Sequence, residues 1–407
     1  MPWQTREEWS ERRRFVAARL TRKLTLKELC EQFGISRDCA CKWWRRFEAE
    51  GVTGLVDRSR ARRSALALRV LWMSRVEDAR QRYPTWGAPK LRWWLEQNHG
   101  ERPCPSERTI GRWLAEAPLT KPRARRAPAG PTVRRQVRRP ARHPNEVWTV
   151  DFKGWFMTAD GKRVSPLTVR DLATRYLLLV RHLRADRHEV AQAMRKLFRR
   201  YGLPREIRSD NGPPFGSLGP RGWTPLTLGW VRLGIHVSFG RPGCPQDNAE
   251  HEQMHAVLKK EATRPAAHNL VQQQRRLEAW RCFYNEQRPH EAIGMVPPAT
   301  LYRPSPRHLQ NPRPPWSYPA GCELKRLDSK GRLTWAQRQR AIGRAFAGQT
   351  VGLQPHRHDM VKVYLGPHLL GTLHASDLTD LRPVRSSSLP RKSGGLRPPA
   401  PPPNSSS

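Results

Sequence analysis

Residues 147–152 read "VWTVDF", and the order of side chains in those six positions decides how the central part of this 407-residue chain folds. Trp148, Val150 and Phe152 alternate, so a strand sends them to one buried face and leaves Thr149 and Asp151 on the other. A turn at Asp160-Gly161 follows, and then strand-like runs over 163–170 and 176–183, which predict an antiparallel meander. Over 187–201 the period changes. Val190, Met194 and Phe198 recur at helical spacing and predict a helix whose inner face covers the sheet. The run 206–210 ends on Asp210, followed by Asn211-Gly212, so a second acid stands at a strand end above a glycine turn.

A third acid lies in "GCPQDNAEHEQMHAVLKKE", residues 243–261. Asp247 can cap a helix there with Glu250 as its capping-box partner. Within that helix Glu252, His255 and Lys259 share one face, and Met254, Val257 and Leu258 another. Three carboxylates on two strands and a flanking helix suit phosphodiester cleavage, which must stabilise charge on both the attacking and the leaving oxygen. Two Mg²⁺ ions about 3.5–4 Å apart do this and require oxygen ligands on a rigid frame. Spacing alone fits solvated surface acids equally well. Asp171, in "RDLATRY", reads as a turn residue. Asn285, Arg288 and His290 read as locks between the last helix and the core, and His356, His358 and Asp359 as a polar hairpin.

Upstream, residues 24–50 hold Leu26, Leu29, Cys30 and Phe33 on one helical face, a turn at Gly34, and Ser36 as the cap of a second helix. That helix turns Cys39, Trp43 and Phe47 inward and Arg37, Lys42, Arg45 and Arg46 outward. Helix, glycine turn and basic helix is the arrangement that lays a helix in the major groove. The plan recurs over 88–117, with Leu91 and Leu95 inward, then Ser106 as cap and Arg108 and Arg112 outward. Cys30, Cys39 and Cys41 have no histidine at zinc-ligand spacing and read as small core residues.

Charge sets the partner class. Lys plus Arg number 75 against 35 Asp plus Glu, a net charge of +40, which points to a polyanion and above all to double-stranded DNA. No apolar run approaches the ~18 residues of a membrane span, and seven irregularly spaced cysteines point to a reducing cytoplasm rather than a disulfide framework. Residues 117–144 form a basic, proline-rich linker carrying Arg134, Arg135, Arg138 and Arg139, which suit phosphate contacts. Short β-like runs fill the C-terminal region, and 385–407 is a Pro/Ser/Gly tail expected to be disordered.

Four words in order, "WTVDF", "IRSDNGPPF", "RPGCPQDNAEHEQMHAVLK" and "YNEQRPHEAIGMVPPATLY", resemble the integrase-type catalytic core of bacterial insertion-sequence transposases. The resemblance covers about residues 145–302. It implies a multidomain chain: helix-turn-helix domains over 1–58 and 59–116, the linker 117–144, an α/β ribonuclease H-like core over 145–304, and a small DNA-binding β-barrel over 316–384. It places the Asp-Asp-Glu triad on Asp151, Asp210 and Glu252, as catalytic residues and ligands of two Mg²⁺ ions or of Mn²⁺ in their place. It further implies cleavage at the terminal inverted repeats, joining to target DNA, a homo-oligomer on DNA, and action at the bacterial nucleoid without membrane contact. His255 and Lys259 are then expected to face DNA beside Glu252. More residues separate Asp210 from Glu252 than is usual for the family, and the glycine-rich stretch 216–223 is expected to hold the excess as a loop. The rival reading is a DNA-binding regulator whose integrase-like core does no chemistry.

Overall fold

The computed structural model describes residues 8–57, 63–100, 103–119, 140–241, 248–309, 315–357, 359–376 and 380–384. Asp247, His358, the tail and the linker arginines Arg134, Arg135, Arg138 and Arg139 lie outside them. The chain forms two compact units, 1–75 and 76–407.

The first unit contains α1 (Glu8–Leu20), α2 (Leu26–Phe33) and α3 (Arg37–Glu50). Thr25 and Glu28 close a capping box at the start of α2, and Gly34 ends it at φ 63°, a left-handed conformation that glycine adopts without strain. The Ser36 hydroxyl then accepts from the Cys39 N–H and starts α3. Leu29, Phe33, Ala40 and Trp43 form the core with Phe15 and Val16 of α1, while Cys30, Cys39 and Phe47 pack at its edge. Arg12 is buried over the Trp43 ring, 3.8 Å from its centroid, and donates to the Leu55 carbonyl at 3.1 Å.

Helix α4 (Arg63–Arg82) leads to α5 (Ala88–Asn98) and α6 (Glu107–Glu116). Leu91 and Leu95 of α5 and Ile110, Trp113 and Leu114 of α6 are buried, and Ser106 caps α6 through the Thr109 N–H.

The central α/β core is built on β1 (Val147–Phe152), the hairpin β2 (Phe156–Met157) and β3 (Arg163–Val164), β4 (Pro166–Asp171), β5 (Leu177–His182), β6 (Glu206–Ser209) and β7 (His236–Phe239). Its five-stranded sheet runs β5-β4-β1-β6-β7, with antiparallel pairs around β4 and parallel pairs from β1 to β7. Helices α7 (Arg187–Tyr201) and α8 (Pro225–Val231) cover the face that carries Trp148 and Val150, where Val190, Met194, Phe198 and Trp230 join one core. The other face meets α9 (Ala249–Ala262) and α10 (Leu270–Glu286) through Leu177, Val180, Met254, Leu258 and Trp280. Thr149 is therefore buried too, although alternation alone left its face open.

Asp171 is the turn residue expected of it: buried, it accepts from the Asn145 N–H at 2.7 Å and from the Thr174 N–H and hydroxyl. Asn285 bonds both the N–H and the carbonyl of Leu177, locking α10 to β5. After α11 (Pro298–Leu301), Tyr302 returns its hydroxyl to the Asn145 side chain at 2.8 Å.

The C-terminal strands are β8 (Glu323–Arg326), β9 (Arg332–Trp335), β10 (Arg338–Ala341), β11 (Thr350–Arg357), β12 (Met360–Leu365), β13 (His368–His374) and β14 (Arg382–Pro383). They form an open antiparallel sheet, β14-β13-β12-β11-β8, and a separate β9-β10 hairpin. The expected barrel is not closed among the described residues, because no pairing joins the edge strands β8 and β14. Nor is 216–223 a free loop. It bridges Gly216 to Trp223, forms a short 3-10 turn, and sends the Arg221 side chain to the Leu369 carbonyl at 2.8 Å. Trp223 meets Phe346 and His368, so the additional residues between the second and third acids fasten the C-terminal sheet to the core.

Candidate active site

Two strand ends and one helix bring the three acids together. β1 and β6 pair in parallel with Thr149 opposite Arg208, and the same register continued two residues sets Asp151 opposite Asp210. Asp210 sits just past the end of β6, where the Gly212 N–H bonds its carboxylate. A side chain at position 212 would begin 2.9 Å from that carboxylate and displace it, so glycine there leaves the Asp210 carboxylate its place. The Asn211 side chain bonds the Gly240 carbonyl and fixes the turn from beneath. Glu252 is exposed in the first turn of α9, where the helix N-terminus favours an anion.

Electrostatics tie the trio. Burial pushes the Asp151 carboxyl up to about 7, and the negative charges of Asp210 and then Glu252 push it the same way. Asp210 is raised as well, mainly by burial. Carboxylate oxygens are the donors a hard divalent cation prefers, and a cation beside Asp151 would relieve the repulsion it feels.

The neighbours of Asp151 were only partly legible in the sequence. His255 does not face DNA: it is 8% exposed, its Nε2 lies 2.8 Å from the Thr168 hydroxyl, and its Nδ1 is 3.9 Å from Asp151. His251, one turn earlier, places Nε2 2.7 Å from the same hydroxyl and Nδ1 2.7 Å from that of Thr149. Asp151, His251 and His255 thus offer ligand atoms within 4.8 Å of one another. Both imidazoles converge on Thr168, however, so they pin α9 to β1 and β4. Burial keeps them neutral, with His255 down to about 3 and His251 well below its ordinary value. The i, i+4 spacing of the two histidines was the available signal, and only their bonds to Thr168 and Thr149 show which way they turn.

Glu250, expected as the capping-box partner of Asp247, which lies outside the described residues, has two arginine neighbours. It pairs with Arg175 and lies 3.8 Å from the buried Arg170, which donates to its carbonyl at 2.8 Å. Asn248 is the N-cap residue of α9, and its amide stands 3.5 Å from Asp151. Lys259 is exposed as expected. Lys153, not anticipated, stands near enough to Lys259 and Asp151 to feel both charges.

On the helical units, Arg37, Lys42, Arg45, Arg108 and Arg112 are exposed. Arg46 is not an outward residue: half-buried, it stacks over Trp43 at 4.6 Å and donates to the Val56 carbonyl at 2.8 Å. The second helical pair is fastened to the central core through the turn between α4 and α5. Tyr83 and Trp86 stack at 4.1 Å and meet Phe283 of α10, and Arg288 lies over Trp86 while pairing with Glu261 of α9 at 2.5 Å. The lock anticipated at Arg288 thus reaches further than α10.

Comparison with known proteins agrees with this architecture. Two profiles described as integrase core domain match residues 141–245 and 233–298, a helix-turn-helix domain matches 11–63, and a homeodomain-like domain matches 39–114. The insertion element IS476 uncharacterized 39.2 kDa protein of Xanthomonas euvesicatoria is 33% identical over 207 residues, 49% of this chain and 56% of that protein. The insertion element IS407 uncharacterized 31.7 kDa protein of Burkholderia multivorans is 30% identical over 197 residues, 48% of this chain and 68% of that protein. Among solved structures, the HTLV-2 integrase catalytic core domain in complex with magnesium is 14% identical, with a TM-score of 0.31, over 40% of this chain and 98% of that one. A simian T-cell lymphotropic virus intasome in complex with a PP2A regulatory subunit is 15% identical, with a TM-score of 0.36, over 72% and 97%. The chain belongs to the insertion-sequence transposase family, with helix-turn-helix DNA-binding domains ahead of an integrase catalytic core. Its match spans about half the length of the first of those insertion-element relatives. Among the described residues no helix is long and apolar enough to cross a membrane.

Proposed function

We propose that this protein cleaves DNA at the terminal inverted repeats of an insertion sequence and joins the freed ends to target DNA. The observation that carries this reading is that Asp151 is raised to about 7 by burial and by the charges of Asp210 and Glu252, which stand near enough to act on it. Such a site is unfavourable by itself and becomes favourable with two divalent cations, Mg²⁺ or Mn²⁺, held by the three carboxylates. Cations there would stabilise charge on the attacking and leaving oxygens. The chain's own part is to fix the carboxylates on two strand ends and one pinned helix, with Asn248 beside Asp151 and Lys259 offering charge to a phosphate. Water attacking the end phosphate breaks its bond to the 3′-oxygen, freeing a 3′-hydroxyl and leaving a 5′-phosphate. That hydroxyl then attacks a target phosphate and displaces the target strand's 3′-oxygen, with no bond formed to the protein.

Residues 1–116 choose the ends, through Arg37 and Lys42 on α3 and Arg108 and Arg112 on α6, with Arg45 reaching phosphate. The linker arginines and the C-terminal sheet add phosphate contacts. Two ends are handled together, so the working form is a homo-oligomer on chromosomal DNA at the nucleoid. The test is nicking of a labelled duplex spanning an element end and its flank. Cleavage in Mg²⁺ that chelator abolishes is the expected result. Footprinting without any metal-dependent nicking would instead make the protein a DNA-binding regulator with an inert core.

A further inference from the structure

Trp155 is 60% exposed, more than any other large aromatic side chain among the described residues. An indole left in water forgoes burial that would stabilise the fold, so its setting calls for a physical reason. The setting is rigid. Trp155 stands three residues beyond the end of β1, the strand that carries Asp151, after a turn at Gly154 with φ 84°. The hairpin β2-β3 that follows turns Val164 fully inward and half-buries Phe156. Its tip is bonded to the segment behind α9: the Ala159 N–H donates to the Ala267 carbonyl at 3.0 Å, and the Asp160 N–H to that of His268 at 2.9 Å.

The outward face of this hairpin is aromatic and cationic. Met157 is 46% exposed two residues after Trp155, and the Arg163 guanidinium lies over the indole, 5.0 Å from the ring centroid. At its base, Lys153 stands where the charges of Lys259, Arg264 and Asp151 act on it. A flat π-surface beside several cations and next to a carboxylate site matches one chemistry: a nucleobase flanked by phosphates. Paired bases in a duplex are already stacked and offer no free face, so the occupant is an unpaired base.

We propose that Trp155 is a stacking platform for an unpaired nucleotide of the DNA strand next to the scissile phosphate. Arg163 backs the ring, and Lys153, Lys259 and Arg264 receive the adjoining phosphates. This rests on the DNA-cleaving reading above.

The test uses the full chain in Ca²⁺, which permits binding to be measured apart from cleavage, on two duplexes with the same element end. In one the flank is paired, and in the other it is unpaired and carries 2-aminopurine. Base–aromatic stacking of about 1–3 kcal/mol corresponds to a loss of roughly 5- to 150-fold in affinity for the unpaired duplex in Trp155→Ala. Affinity for the paired duplex should change by less than about twofold, since backbone contacts carry it. Trp155→Tyr should restore most of the loss. Quenching of 2-aminopurine should persist in Trp155→Tyr and vanish in Trp155→Ala. Trp155→Ala binding the unpaired duplex as tightly as wild type, with the same quenching, overturns the platform and leaves the cleavage reading standing. A wild-type protein that binds neither duplex overturns both.

Discussion

The surfaces that would read DNA and the site that would cut it follow opposite electrostatic plans. α3 and α6 are each complete as helices, with a serine cap, a buried apolar face and exposed cations, Arg37, Lys42 and Arg45 on α3 and Arg108 and Arg112 on α6. The carboxylate site is not at rest. It sets a half-buried Asp151 within reach of the exposed Asp210 and Glu252, so their negative charges add to the cost that burial already puts on the Asp151 carboxylate. A reading helix therefore carries its function in exposed atoms on a relaxed frame, whereas the cutting site carries it in an unfavourable charge arrangement that the fold enforces.

The sharpest way to break this contrast is Asp210→Asn, which keeps size and hydrogen-bonding atoms and removes one charge. Strand cleavage should fall by about three orders of magnitude or more while the footprint on end DNA persists. Glu252→Gln should behave alike and Glu250→Gln should stay active, because Glu250 is turned to Arg175. Near wild-type cleavage by Asp210→Asn would remove it from the site.

A smaller effect should appear in the pH dependence of metal-free stability. Asp151 titrates near 7 in the fold against an ordinary 3.8, so the folded state binds the extra proton. Its contribution is full below about pH 4 and is lost as pH rises towards 7, on the order of 2–4 kcal/mol. His251 and His255 act in the opposite sense: their folded values are depressed, so their contribution is present above about 6.5 and lost as pH falls below it. Asp151→Asn should flatten the fall in melting temperature between about pH 4 and 7, and Arg37→Ala should leave the profile unchanged. An unaltered slope over that range in Asp151→Asn would mean that the Asp151 carboxylate is not strained.

Within the reading surface, Arg37→Ala and Arg108→Ala should each cost about 1–3 kcal/mol of discrimination and uncover different parts of the footprint. If either leaves both footprint and affinity unchanged, its helix does not read sequence. The least effect on sequence preference is expected from Arg134, Arg135, Arg138 and Arg139 changed together to Gln. The salt dependence of binding should flatten, while the preference for end DNA over random DNA stays. Loss of preference with an unchanged salt slope would reverse that division of labour.

Elements governed by local rules were legible before any coordinates. Ser36, Gly34 and Ser106 mark helix boundaries because caps and left-handed turns are chosen by the residue itself. The helix over 187–201 and the acids of β1 and β6 follow from periodicity and from Gly212. Contacts between distant segments were not legible. The turn of Arg46 onto Trp43, the convergence of His251 and His255 on Thr168, and the docking of 216–223 under the C-terminal sheet each join segments whose proximity no local pattern encodes.

By itself, then, the sequence determined the order of helices and strands, the three acids and the basic faces, since these depend on neighbours one to four residues apart. Only the tertiary structure decided that α9 covers Thr149 and withdraws His255 from DNA, that the second helical pair rests on Phe283 and Arg288, and that the last sheet stays open. The physical reason is the range of the forces involved. Capping and alternation act along the chain, whereas burial, charge repulsion and aromatic packing act through space and take their sign from what the fold brings near.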